Sequence, residues 1–279
     1  MEQESNQTAG AMPTGGAGVK RSMGVASGKG GVGKSTVAVL LAEALAARGR
    51  KVGVLDADIT GPSVPRLLGI SSFRGEFDGE RLVPVTNDDG IKVVSITFYV
   101  NDEATPVVWR GPLMSKAIEQ FWNDTAWGEL DYLIVDFPPG TGDIQITAFN
   151  SLPVSGVVVT ATPQALVSMI VAKAVRMADM VNAPVLGVVE TMGTMTCPHC
   201  GEAIDLFESL DGKTIQDALG IPLLAAFPWR KEIAQARELR WNKLPEDLRA
   251  PADQLAAETE LALAAGRTKG RPAACTRPE

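Results

Sequence analysis

The chain has 279 residues, of which 45% are hydrophobic, 21% charged and only 5% aromatic, enough for a buried core and near the upper size of a single-core domain. A formal net charge of −7 argues against unspecific phosphate-backbone binding, because no basic excess is present to displace counterions, so nucleic acid is not an expected partner. No apolar run reaches the roughly 20 residues needed to cross a bilayer, and the polar N-terminus lacks the apolar segment of a secretory signal, so a cytoplasmic protein without a membrane partner is expected. Residues 1–20 are polar and Gly-rich with no periodic apolar positions, and read as a disordered tail. From Ser22 a short strand, a Gly-rich loop, an Ala/Leu helix and a Val/Leu strand follow one another up to Asp58, which is one right-handed βαβ unit. Further buried strands are predicted in the short apolar runs at 91–96, 131–137, 156–162, 183–189 and 221–227. Helical stretches lie between most of them, notably Gln164 to Val181, and a closing helix is expected over 246–265 despite Pro251. The fold class is therefore α/β, a mostly parallel sheet with helices on both faces.

Gly28-Lys29-Gly30-Gly31-Val32-Gly33-Lys34-Ser35, followed by Thr36, fits the phosphate-loop pattern and has the required strand before it and helix after it. The glycines let backbone N–H groups converge on phosphate oxygens, Lys34 reaches the β- and γ-phosphates, and Ser35 can ligate Mg²⁺. ATP and Mg²⁺ are the implied ligands, and residues 28–36 the binding segment. Residues 21–266 then read as one P-loop ATPase domain carrying a Cys-x-x-Cys loop, with a flexible tail over 267–279. The second lysine, Lys29, resembles the signature lysine of the deviant Walker A class, which includes MinD/ParA, ArsA and the nitrogenase iron protein. In that class the signature lysine reaches the partner subunit's nucleotide, so the resemblance implies a face-to-face homodimer and a catalytic role for Lys29; the alternative is a solvated loop lysine.

Two apolar strands end in acids: Val54-Leu55-Asp56-Ala57-Asp58 and Leu133-Ile134-Val135-Asp136. The carboxyl ends of parallel strands are where open α/β sheets bind ligands, so these acids can face the nucleotide. Resemblance to the class implies that Asp58 lies in the first switch and positions the attacking water, while Asp56 supports the Mg²⁺ shell or the loop geometry; turn capping is the alternative for both. Asp136 sits where the Mg²⁺-supporting carboxylate of the second apolar strand belongs. The Phe137-Pro138-Pro139-Gly140-Thr141-Gly142-Asp143 segment after it looks like the second switch.

Several stretches together, GKGGVGKST, VLDADITGPSVP, VWRGPLMSKAI, DYLIVDFPPGTGD, TATPQALV and CPHCG, resemble the Mrp/ApbC family of iron–sulfur carrier ATPases over about Ser22 to Pro228. Three positions depart from the family pattern. Thr191-Met192 stands where the family has Asn-Met, the Asn contacting adenine; Ile170 and Arg230 stand where the family has acids.

The chain has three cysteines, too few and too unevenly numbered for a disulfide framework. Cys197-Pro198-His199-Cys200 puts two thiols at the spacing that turns both toward one metal or cluster. One chain supplies half of a four-thiolate site, and a two-fold homodimer completes it, so a [4Fe–4S] cluster shared between two subunits satisfies the count. The family uses its Cys-x-x-Cys in that way, which implies iron–sulfur apoproteins and a cluster donor as partners. A zinc site at the same axis and a redox or structural pair remain open on spacing alone. His199 reads as a loop residue and Cys275 as a free thiol. The rival to an ATP-dependent cluster carrier is a MinD/ParA-like positioning ATPase, which needs an amphipathic membrane helix or a basic DNA patch that the acidic chain does not display.

Overall fold

The computed structural model describes residues 16, 18–59, 61–70, 74–99, 111–166, 175–176, 178, 183–197, 199–207, 220–234 and 236–266. Most of the helix predicted from Gln164 to Val181, Ile170, Cys275, most of the predicted N-terminal tail and all of the predicted C-terminal tail lie outside the described residues. The first half contains β1 (Val19–Ala26), α1 (Lys34–Ala47), β2 (Val52–Asp56), α2 (Val64–Leu67), β3 (Glu76–Asp78), β4 (Arg81–Val83), β5 (Val85–Thr86), β6 (Lys92–Ser95) and α3 (Gly111–Asn123). The second half contains β7 (Leu130–Asp136), α4 (Asp143–Ser151), β8 (Gly156–Ala161), α5 (Pro163–Leu166), β9 (Val185–Thr196), β10 (Ala203–Asp205), β11 (Leu223–Trp229), α6 (Lys231–Ala234) and α7 (Glu246–Ala264).

Among the described residues one sheet has nine strands in the order β10-β9-β8-β1-β7-β2-β6-β5, with β11 on the other edge of β9. Its pairings are parallel except at the two short additions, β10 on β9 and β5 on β6. The five runs predicted as buried strands all lie in this sheet. β9 extends beyond its predicted end, because its last residues are paired by the short strand β10 rather than by an apolar neighbour.

The first strand starts earlier than the sequence reading placed it: Val19 and Lys20, assigned there to the disordered tail, belong to β1 and continue its ladder with β7. The physical reason is that polar residues at the amino end of a strand need no apolar pattern when partners are at hand. Leu130 N–H donates to Gly18 O at 2.9 Å, and Lys20 pairs with Asp131 at 2.8 Å.

Side chains fill both faces of the sheet. One apolar cluster joins α1 and α7 to the sheet, and the other joins α3 and α4 to its opposite face. Every residue from Val37 to Leu45 is buried, which fits a helix apolar on all sides and covered on all sides. Each fully buried Val or Leu there contributes roughly 1.5–3 kcal/mol. On α7 the buried positions Leu248, Ala252, Leu255, Ala256, Thr259, Ala262 and Leu263 recur at helical spacing. This packing fixes β1, and with it the start of the phosphate loop, at the centre of the sheet.

Candidate nucleotide site and cysteine hairpin

The loop from Ser27 to Gly33 leaves the carboxyl end of central strand β1 and enters α1. Gly31 and Gly33 adopt φ of 78° and 80°, a left-handed conformation that costs a side-chain-bearing residue energy and glycine very little. Gly33 caps α1 and no side chain bonds the helix start, so the first-turn N–H groups and the positive end of the helix face the loop's concave side. Ser27 Oγ donates to Lys29 O at 3.0 Å, and Gly140 N–H donates to Ser27 O at the same distance, tying the second-switch segment to the phosphate loop.

Three strand ends bring the predicted acids together. In the ladder Asp136 pairs with Val25 on one side and Asp56 on the other, and Asp56 pairs in turn with Ser95. Lys34, 6% exposed, sits over this row: its Nζ is 2.5 Å from Asp136 Oδ1, 3.3 Å from Ser35 Oγ and 3.9 Å from Asp58 Oδ2. Burial pushes the pKa of Asp136 up, against the pull of Lys34. Burial and then the neighbouring Asp136 push Asp56 up as well. Three acids around one lysine in a buried place call for more positive charge.

Of the two sequence readings for Asp56, the geometry favours the loop. Its Oδ2 accepts from Ser63 N–H and Val64 N–H at 3.2 Å and from Ser95 Oγ at 3.3 Å, and its Oδ1 accepts from Asp58 N–H at 3.2 Å. Asp56 thereby shapes the turn that carries Asp58. Asp58 Oδ1 accepts from Gly61 N–H at 3.2 Å, and Asp58 itself lines the site. The donors fit a hard divalent cation: Asp136 Oδ2 is buried and has no hydrogen-bond partner among the described residues, and the Ser35 hydroxyl and Asp58 carboxylate are oxygen donors beside it.

Two cavities meet at this loop. One of about 390 Å³ is polar, lined by Lys34, Ser35, Asp58, Arg66 and Pro139 among others. The second, about 280 Å³, is lined by Val37, Leu40, Met192, Phe227, Trp229 and Arg230 among others, and the two share Gly31, Gly33, Thr36 and Ile233. A polar cleft at the phosphate loop opening into an apolar slot matches the two ends of a nucleotide. Lys29 is exposed and, like Gly28, lines neither cavity, whereas Gly30 lines the polar one. Arg66, Met192, Phe227, Trp229 and Ile233 went unread in the sequence as site residues, because only the fold brings α2, β9, β11 and α6 to the phosphate loop.

Thr191 occupies the position where the family resemblance implied a base contact. It is buried, and its Oγ1 lies 2.7 Å from Val32 O and 3.3 Å from Ala161 O, so its hydroxyl serves the phosphate loop's backbone. Arg230 pairs with Asp247 of α7, its Nε 2.6 Å from Oδ2.

The cysteine pair lies elsewhere, in the hairpin between β9 and β10. Cys197 N–H donates to Glu202 O at 2.7 Å and Gly201 N–H to Cys197 O at 3.0 Å, closing the turn with Gly201 at φ 79°. Cys200 is exposed and Cys197 half-buried, both as free thiols. Backbone N–H groups of Cys200 and His199, with the Cys200 thiol, hold the Cys197 thiol below its ordinary pKa, which favours the thiolate that ligates metals. Among the described residues no third His, Cys, Asp or Glu completes a metal-holding group with the two cysteines in one chain. The same hairpin exposes Ile204 and Leu206.

The family pattern of ParA, described as NUBPL iron-transfer P-loop NTPases, matches residues 18–259. The chain belongs to this family. A protein of Methanocaldococcus jannaschii named iron–sulfur cluster carrier protein is 44% identical over 211 residues, covering 75% of this chain and 73% of the relative. Among solved structures, a nucleotide-binding protein of Archaeoglobus fulgidus in complex with ADP, with cobalt found in it, superposes with a TM-score of 0.68 at 37% identity over 87% of this chain and 89% of its own. The cell-division ATPase MinD of Pyrococcus furiosus, with a TM-score of 0.64 at 20% identity over 86% and 98% of the two chains, shares the fold. The ParA-family P-loop NTPase described here is thus a nucleotide-binding protein with a mostly parallel α/β sheet. No described helix is long and apolar enough to cross a membrane.

Proposed function

We propose that this P-loop NTPase hydrolyses ATP and carries a [4Fe–4S] cluster, held between the Cys197 and Cys200 pairs of two subunits, to apoproteins that receive it from an upstream donor in the cytoplasm. The observation that carries the cargo reading is the Cys197/Cys200 pair, half-buried and exposed respectively, on an edge hairpin whose backbone N–H groups favour thiolate at Cys197. Among relatives, the similarity to a protein named iron–sulfur cluster carrier protein supports it. For hydrolysis, Lys34 supplies positive charge to the β- and γ-phosphates, and the loop N–H groups together with the start of α1 hold the phosphate oxygens. Asp58, whose carboxylate lines the polar cavity, positions the attacking water, and Asp56 holds the turn that presents it. Ser35 and Asp136, with Asp58 nearby, would hold Mg²⁺, which when bound offsets phosphate charge. Lys29, exposed and outside its own chain's cavities, is free to reach a partner's nucleotide in a face-to-face homodimer.

The experiment is anaerobic reconstitution with iron and sulfide, read by absorption and iron analysis beside a Cys197→Ala, Cys200→Ala double variant. One cluster per dimer gives about two irons per chain, lost in the variant. A zinc site instead gives about half a metal per chain and no visible absorption, because Zn²⁺ is d¹⁰. Colourless, air-stable protein overturns the carrier reading and leaves the nucleotide site standing.

A further inference from the structure

β9 is the one described strand that touches both places. Within it, Thr191 pairs with Phe227 of β11 and Met195 pairs with Trp229. Four steps along β9 therefore face two along β11, so β9 bulges between Thr191 and Met195, opposite Pro228. Proline has no N–H to give the ladder and suits such a break. Met192 in this bulge has φ 61°, the one non-glycine residue with positive φ among the described residues. A left-handed methionine is held against its own preference and persists where the surroundings impose it. The phosphate loop is one of its neighbours here. A methyl group placed on Gly33 would lie 3.7 Å from Met192 Cε and 3.8 Å from Thr191 Cγ2, and the Thr191 hydroxyl donates to Val32 O between the two left-handed glycines. Because Met192 also lines the apolar cavity, a nucleotide in that cavity meets the bulge directly. Beyond it, β9 runs to Thr196 and Cys197 begins the cysteine turn, with Leu206 N–H returning to Gly193 O at 2.9 Å. From Met192 to Cys197 is about 16 Å of extended chain at most.

We propose that the Thr191–Met195 bulge transmits nucleotide occupancy of the phosphate loop to the Cys197/Cys200 hairpin, with Thr191 as the positioning residue that couples them through Val32. When the loop closes on phosphate, the Val32 carbonyl holds Thr191 and the bulge is pinned; when the loop relaxes, the strained Met192 is released and the hairpin loosens. Bulges beside functional sites re-aim the chain that follows them, and here that chain carries the two thiols. This inference rests on the proposed nucleotide and cargo sites and deepens that reading by naming how one acts on the other.

Amide hydrogen exchange of the 193–207 segment tests it in wild type, Thr191→Val and Thr191→Ser, without any cluster, so failure of the carrier reading leaves this result readable. Mg-ADP is the probe, since the dimer expected with ATP would itself cover the hairpin, and protection of the 27–36 segment reports saturation. In wild type and Thr191→Ser, saturating Mg-ADP is expected to slow exchange in the hairpin at least threefold. In Thr191→Val, which keeps the shape and removes the donor, the effect should fall below about 1.5-fold while the 27–36 segment remains protected. Equal protection in Thr191→Val overturns the proposal, as does an unresponsive wild-type hairpin. Failure of Thr191→Val to saturate also overturns it, since Thr191 would then be a binding residue and not a coupler.

Discussion

The phosphate loop and the cysteine hairpin are built to opposite specifications. Around Lys34 every acid is buried, and Asp56 and Asp136 are register partners in a parallel ladder fixed by helices on both faces. Around Cys197 the chain is a short antiparallel hairpin at the sheet edge, exposed from Thr196 through Leu206 except for Cys197 among its described residues. Charge that must stabilise a transition state is worth most when it is preorganised and shielded from water. Thiols that must accept a cargo and give it up need the reverse, exposure and a light hold. On the proposed function, the difference puts the chemistry in the core-anchored half and the exchange at the edge.

The sharpest way to break the comparison is at Lys34. Lys34→Ala is expected to lower kcat by at least about 10²–10³-fold, the usual cost of removing a preorganised charge, and turnover within about tenfold of wild type would defeat the assignment. Next in size, Cys197→Ala or Cys200→Ala is expected to lose the reconstituted cluster, because two thiolates per dimer cannot hold it. Cys200→Ala should shift Tm by less than about 2 °C, since exposed positions contribute within about 0.5 kcal/mol. A large loss of stability would place the hairpin in the fold's core and erase the contrast.

A smaller effect lies behind the site. Glu43 on α1 is buried, its Oε2 accepting from Trp241 N–H at 2.9 Å, and burial pushes its pKa up to about 7. A carboxyl raised in the folded state favours folding below its unfolded value near 4.5, and that contribution is lost as pH rises through about 7. Glu43→Gln, which keeps an acceptor for Trp241, is therefore expected to be more stable than wild type at pH 8, by on the order of 1–3 kcal/mol, and to approach it at pH 5. Calorimetry across that range checks the sign, and a constant difference between the two proteins would refute it. The subtlest change is Lys29→Ala. It should spare nucleotide affinity while weakening dimerisation with a non-hydrolysable ATP analogue in sedimentation. Unchanged dimerisation counts against a role across the subunit interface.

Read alone, the sequence determined the sheet and the strand–loop–helix course of the phosphate loop, because those rest on local signals. Gly31, Gly33, Lys34 and Ser35 are read from spacing, and Asp56 and Asp136 from apolar runs that end in acid, so the strand–loop–helix order already places them at the carboxyl ends of the strands. The Cys197/Cys200 pair was equally legible as a ligand spacing. What the sequence left undecided was partnership across distance. That Ser63, Val64 and Ser95 donate to Asp56 is visible only in the fold, and Val19 joined β1 only because Leu130 lay opposite. Thr191 looked like a substituted base contact, and tertiary structure turned its hydroxyl onto Val32 O, 159 residues earlier in the chain. The β9 bulge shows why: its existence depends on counting residues in two strands against each other, and no pattern within either strand carries that count. Periodicity along the chain records which face a residue presents, whereas register between strands is set by packing, which the fold alone decides.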